Sequence, residues 1–472
     1  MGRNGPTIGC FSQKLLPLYY TYNDSIRAIF IVDIKDLSSL YSSHPTISAL
    51  RQILSEGKDR NISLKGLNGS ASAMTIAALY AKGNGNFICL LNDMEEAGYF
   101  YNDLKQLTQS DTVYFFPSAY RRDIKYGHVD PANEILRTEV ISVLQDEHPD
   151  FIIVSYPEAI AEKVARQDVL KENSLQIKAG DKADIIAISN ILDKYGFEQV
   201  DYVYEPGQYA LRGSILDVFS FSYEYPYRLD FFGDEVETIR AFDVETQLSK
   251  EKLDSVHIVS EISKRNATGG CLLASLPPGT ILSVKDLSWC RERIGALWEE
   301  KPVIADEESF ANADIMHSKL VPWDEFMHDA LNLRRVQFGL HAEGEIDATL
   351  NFQTEAQPIF HKNFDLVSQS FRKYLEEGYT LYILSDVEKQ AERIRAIFED
   401  RKEDIPFTAV NKTIHAGFAD AQLKICCFTD HQLFDRFHKY SLKSDKARSG
   451  KITLSLKELN QFTPGDYIVH ID

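Results

Sequence analysis

The chain has 472 residues and a formal charge of −19 at pH 7, with 44% hydrophobic and 11% aromatic content. This composition supports several packed cores and about three domains, and it excludes a chain disordered throughout. No apolar stretch is long enough to span a bilayer, and the acidity argues against nucleic acid held across the whole surface.

Residues 1–35 form an unassigned N-terminal extension whose short, tyrosine-interrupted apolar run does not read as a signal peptide. From Asp36 the pattern is α/β. Residues 36–57 are expected to be helical, with Leu40, Ile47, Leu50 and Leu54 near one face. Asn61–Leu64 reads as a strand, Ser70 to Lys82 as a small-residue helix, and Phe87–Leu91 as a buried strand. A helix over Glu95–Leu107, the strand Thr112–Phe116, a helix around Ala132–Leu144 and the strand Phe151–Ser155 follow. Strands separated by helices of this length predict a parallel, doubly wound sheet.

Past Ser174 the texture changes. A helix over Ala183–Tyr195 precedes expected strands at Val200–Glu205, Tyr209–Arg212, Ile215–Phe219, Tyr227–Phe232 and Glu235–Phe242, with turns at Gly207, Gly213 and Gly233. Residues 174–261 are therefore an antiparallel α+β insert. Residues 262–350 show no clear period. Residues 351–436 return to α/β, with strands at Thr380–Leu384 and Leu423–Phe428 and helices near Val367–Glu377 and Val387–Glu399. Residues 437–458 are basic and read as a linker, and residues 459–472 look like the start of a further domain.

The six cysteines, Cys10, Cys89, Cys271, Cys290, Cys426 and Cys427, form no CxxC pair. The expectation is a reducing, cytoplasmic setting with neither disulfides nor structural zinc. His341-Ala342-Glu343 does not make a zinc-protease motif, and neither a GxSxG elbow nor a strand–GxGxxG–helix is present. Asp230, Asp234, Glu235 and Glu237 surround Gly233 and read as a hairpin turn with exposed carboxylates rather than a metal site.

The sharpest local motif is Gly66-Leu67-Asn68-Gly69-Ser70-Ala71-Ser72-Ala73, between a strand and a helix, where a P-loop belongs. A working loop needs G-x-x-x-x-G-K-[ST], so that a lysine reaches the phosphates and a hydroxyl binds Mg²⁺. Here Ala71 replaces the second glycine, Ser72 the lysine and Ala73 the hydroxyl residue. Hydrolysis is not expected without that electrostatic stabilisation. Two readings stay open: a cradle that keeps its shape without its charge, and a strand–turn–helix whose small residues serve close packing.

The insert carries 8 basic and 17 acidic residues, which argues against DNA and for a protein partner. Arg212, Arg228 and Phe232 are residue types enriched at hot spots, and Arg228 and Phe232 share a strand face. On residues alone, a core Phe232 with solvated arginines is the alternative.

The segment Asp193–Asp243 (DKYGFEQVDYVYEPGQYALRGSILDVFSFSYEYPYRLDFFGDEVETIRAFD) closely resembles the UvrA-binding domain of bacterial transcription-repair coupling factors, and is more distantly similar to that of UvrB. The degenerate loop LKGLNGSASAMTIA, the run FTDHQLFDRF, the basic linker and FTPGDYIVHID fit the same family in the same order, over Asp36 to Asp472. The resemblance implies a UvrB-like degenerate P-loop domain over 36–173 and 262–350. This is split by the UvrA-binding domain at 174–261 and followed by a small α/β domain at 351–436. It implies a non-catalytic module that recruits UvrA to lesion-stalled RNA polymerase through Arg212, Arg228 and Phe232. Residues 459–472 would begin a polymerase-interacting domain. The resemblance places the contacts with RNA polymerase and DNA, the ATP and Mg²⁺ sites and the helicase motifs of a translocase in domains missing from this chain. A catalytically dead nucleotide-binding regulator and a UvrB-like DNA-dependent ATPase are the alternatives.

Overall fold

The computed structural model describes residues 31–57, 61–83, 85–119, 131–145, 148–164, 174–221, 223, 225–244, 246–259, 269–299 and 319–439. Most of residues 1–35 and of the basic linker, and all of residues 459–472, lie outside this set.

Seven parallel strands make the first sheet. Its order is Ala348–Asn351, Asn61–Lys65, Arg334–Gln337, Ile281–Val284, Phe87–Leu90, Ile152–Ser155 and Val113–Phe115. The strands FICL and IIVS are buried along their whole length, as a sheet covered on both faces requires. Three strands come from the stretch that shows no period, and Ile281–Val284 and Arg334–Gln337 insert between Asn61–Lys65 and Phe87–Leu90. The segments before and after the insert therefore build one sheet. Helix Ala71–Tyr80 has eight of its ten residues buried, which explains why it shows no apolar stripe. The helix expected over 36–57 is two helices, Ile34–Tyr41 and Pro45–Glu56. Pro45 opens the second, and the buried His44 caps it by accepting the Thr46 N–H at 3.0 Å.

The second α/β sheet runs Ile31–Val32, Thr408–Val410, Thr380–Leu384, Ile425–Thr429, Phe418–Asp420 and Thr354–Ala356. Its first four strands are parallel, and the last two pairings are antiparallel. Ile31 and Val32, at the end of the N-terminal extension, pair with Ala409 and Val410. One hydrophobic core joins the two sheets, since Leu384, Val410, Ile414, Phe418, Ile425 and Cys427 cluster with Ile62, Leu64, Met74 and Phe87.

The insert is a six-stranded sheet, in order Ser249–Leu253, Glu235–Phe242, Tyr227–Phe232, Ile215–Phe219, Gln208–Arg212 and Glu198–Gln199. All pairings are antiparallel except the last. Gly233, at φ +63°, turns the hairpin between the strands of Phe232 and Glu235. One face packs Tyr209, Leu216, Val218, Leu229 and Ile239 beneath Ile188 and Leu192 of helix Ile185–Lys194. Val200–Glu205, expected as a strand, is mostly loop, because the Gln208 Oε1 accepts the N–H groups of Tyr204 and Glu205. The incoming strand Ser174–Lys178 and the outgoing strand Ser255–Val259 pair with each other in their own two-stranded ribbon.

Candidate protein-interaction surface

Arg212, Arg228 and Phe232 all lie on the second face of the insert sheet, opposite its core. The register places Ala210, Asp217, Arg228, Arg240 and Lys252 in one cross-strand row, with Ile215, Asp230 and Thr238 in a neighbouring row. Two arginines directly opposite each other would repel. Two carboxylates remove that conflict. Asp217, 1% exposed, accepts Arg228 Nε at 2.7 Å and Nη2 at 2.8 Å, and also accepts Arg212. Asp230 accepts Arg240, and Thr238 Oγ1 at 2.8 Å. Hydrogen bonding to Asp217 raises the Arg228 pKa above its ordinary value.

The face changes character along its length. At one end Ala210, Phe219 and Phe242 are buried with Ile135 of helix Pro131–Val143, which docks the insert on the first sheet's unit. Arg228 sits at the border, its guanidinium 4.2 Å from the Phe242 ring centroid. Arg212 lies 4.7 Å over the ring of Tyr202, which is itself half exposed. At the far end Phe232 is 78% exposed. A large ring left in water at the tip of a hairpin, beside fixed guanidinium groups, is a surface suited to a partner.

Sequence reasoning singled out the arginines and Phe232 but not Asp217, which decides where the arginines point. Arg228 is mostly enclosed and engaged by Asp217 and by Gln247 Oε1 at 3.1 Å, so the group that projects most is Phe232. The readable signal was an acidic residue inside the apolar strand ILDVF, since a charge there requires a buried cation. Asp230, Asp234, Glu235 and Glu237 sit on and around the hairpin turn, and Asp230 is committed to Arg240. Among the described residues no group of three His, Cys, Asp or Glu side chains is arranged to hold a metal ion, and no helix is long and apolar enough to cross a membrane.

The degenerate loop is a joint between the two α/β sheets. Gly66 adopts φ +78°, and a Cβ there would lie 2.2 Å from the Phe352 carbonyl oxygen. Asn68 donates its N–H to Thr354 Oγ1 at 2.8 Å and its side-chain amide to Thr354 O at 2.6 Å. Gly69, at φ +54°, leaves room for the carbonyls of Ala416 and Gly417. Ser70 donates its N–H to Ala416 O at 2.9 Å, and Ser70 Oγ accepts the Ala416 N–H at 3.0 Å. Asp103, 2% exposed, accepts the His415 N–H at 2.7 Å. Burial pushes its carboxyl up to about 7, against the lowering effect of bonds from Ser70 and the His415 N–H. Ala73, where a Mg²⁺-binding hydroxyl would stand, is fully enclosed. The lysine and hydroxyl of a working loop are replaced, and the Ser70 N–H already has an acceptor.

Residues 175–262, which make up the inserted sheet and its flanking ribbon, match the family described as UvrB interaction domain. The chain as a whole is similar to transcription-repair-coupling factors. It is 20% identical over 510 aligned positions to that of Staphylococcus aureus (strain bovine RF122 / ET3-1), covering 92% of this chain and 43% of the relative. It is 28% identical over 194 positions to that of Escherichia coli (strain K12), covering 41% of this chain and 17% of the relative. The factor of Staphylococcus epidermidis (strain ATCC 12228 / FDA PCI 1200) is 21% identical over 486 positions, covering 87% and 41%. These matches support the resemblance to the N-terminal portion of such factors. The chain spans less than half the length of each of these relatives.

Proposed function

We propose that this chain is a non-catalytic interaction module that recruits UvrA within nucleotide excision repair coupled to transcription. The single observation that carries the reading is the exposed Phe232 at the end of the ordered arginine–aspartate face, on a unit that matches the UvrB interaction domain. Phe232 is the anchor that loses water on contact. Asp217 fixes the guanidinium forks of Arg212 and Arg228 in place before binding, so little side-chain entropy is lost when carboxylates of the partner approach. Arg212, Arg228 and Arg240 against Asp217 and Asp230 leave this face positive, on an insert that is acidic overall. Such a face favours an acidic patch and disfavours wrong partners. RNA polymerase and DNA are the other partners this reading gives to the longer protein.

Isothermal titration of the full chain with purified UvrA tests it. The expected outcome is binding by the parent and a loss of about 2 kcal/mol or more in Phe232→Ala, roughly 30-fold in Kd. Equal affinity of parent and variant would overturn the assignment of the face.

A further inference from the structure

We propose that the degenerate cradle is a peptide-binding site filled by this chain's own segment 413–417, and that this occupant, more than the missing lysine, keeps nucleotide out. A P-loop holds phosphate with backbone N–H groups at the start of a helix. Here a peptide carbonyl takes the place of a phosphate oxygen: the Ser70 N–H donates to Ala416 O at 2.9 Å. The bond is returned by the Ala416 N–H to Ser70 Oγ at 3.0 Å, so the two strands of the joint are locked reciprocally.

The segment is held as a bound ligand is held. All six backbone polar groups of residues 415–417 have partners. The His415 N–H goes to Asp103, and its carbonyl meets His431 Nε2 at 2.9 Å. Ala416 uses both groups on Ser70. The Gly417 N–H donates to Gln432 Oε1 at 2.7 Å, and its carbonyl accepts the Gln357 N–H at 2.9 Å. Ile414 is wholly buried in the core shared by the two sheets, and the His415 ring stacks on Tyr99 with centroids 3.7 Å apart. Glycine is favoured at both positions. A Cβ on Gly69 would stand 2.7 Å from Gly417 O, and one on Gly417 would stand 2.8 Å from the backbone carbonyl oxygen of Cys427, on the side of the segment away from the cradle. Phosphate and segment thus compete for the same donor, and the segment is covalently tethered and anchored at Ile414.

Two measurements on the full chain test this. The first is amide hydrogen exchange. Ser70 and Ala416 are expected to exchange slowly and at matching rates, unaltered by 1 mM ATP with Mg²⁺. The second is titration with a fluorescent N-methylanthraniloyl-ATP. Ser72→Lys restores the missing charge at a half-buried position, yet saturable binding is expected only when Gly417→Ala is added to displace the segment. In Ser72→Lys/Gly417→Ala, exchange at Ser70 is expected to rise at least tenfold while Cys89 and Leu90 stay protected. Saturable binding by Ser72→Lys alone with Ser70 still protected would overturn the proposal. Fast exchange at Ser70 in the parent would do the same, and needs no variant to fold. Failure of the double variant to bind nucleotide, with Ser70 open and Cys89 protected, would show that the cradle has lost its phosphate geometry and would also overturn it.

Discussion

Two single substitutions on the face proposed to bind UvrA should separate stability from binding. Arg228→Ala removes two charge-assisted hydrogen bonds from Asp217, a carboxylate 1% exposed. Each such bond contributes about 1.5 kcal/mol or more, and a buried charge that loses a partner is costly. Arg212 stays behind as the second partner and moderates the loss. The contact of the guanidinium with Phe242 also disappears. A destabilisation of the insert by about 3 kcal/mol is expected. Phe232→Ala, by contrast, alters a ring that is 78% exposed, so stability should move by less than about 0.5 kcal/mol. Its effect should fall on UvrA affinity instead. Scanning calorimetry is the assay for the first effect, because the insert has its own core and should show its own transition. Titration calorimetry reads the second. An unchanged insert transition in Arg228→Ala would refute the role given to Asp217. A large fall in stability in Phe232→Ala would show that the ring packs inside the fold rather than waiting for a partner.

Gly66→Ala should weaken the joint between the sheets by about 3 kcal/mol, because it forces a Cβ into the Phe352 carbonyl at a positive φ; urea midpoints check this. Asp103 and His415 should give opposite pH slopes. The Asp103 carboxyl is raised to about 7 by burial, so its ionisation opposes folding and stability from this group falls as pH rises from about 4 to 7. His415 is lowered to about 4 by burial and by its His431 and His438 neighbours, so stability from it is lost as pH falls from about 6.5 to 4. Asp103→Asn should therefore make urea midpoints rise more steeply across pH 4 to 6.5, and a flatter profile would contradict the assignment. Cys89, Cys271, Cys290, Cys426 and Cys427 are buried, with pKa values raised by desolvation. In the native state at most one of the six cysteines should react quickly with a thiol reagent, and all six should react in denaturant.

The parts legible in the sequence were those whose signal is local. FICL and IIVS are apolar along their whole length, and YRLDFFGDE carries both alternation and its turn. The strands ILSV, RRVQ and ATLN were not legible. Each is four residues long, RRVQ has a single apolar residue, and ATLN is half polar. ILSV and RRVQ are strands because they fill the gap between Asn61–Lys65 and Phe87–Leu90, and ATLN because it pairs with the open edge of Asn61–Lys65, which are tertiary causes. YVYE misled in the other direction, since its aromatic alternation sits in a loop held by Gln208. At the candidate surface, the outward residues were readable by type. The pairing of two arginines on Asp217 was not, because it joins three strands. The 413–417 segment carries no motif at all. Its role follows only from where the fold brings it, some 340 residues away in sequence from Ser70.

The pairing of the insert's own first and last strands has an evolutionary consequence. Ser174 lies opposite Val259, so the insert leaves and rejoins the host at one point. The host closes at a second point, where Val164 bridges Gly270 through the Val164 N–H to Gly270 O bond at 2.9 Å. Each piece is thus sealed at its own seam, and beyond the seams the insert meets the host through the small core that Ala210, Phe219 and Phe242 share with Ile135. The inserted sheet is set apart as a cassette between the two seams, so changes in its length or sequence away from the contact with Ile135 are expected to leave the order of the seven-stranded scaffold intact.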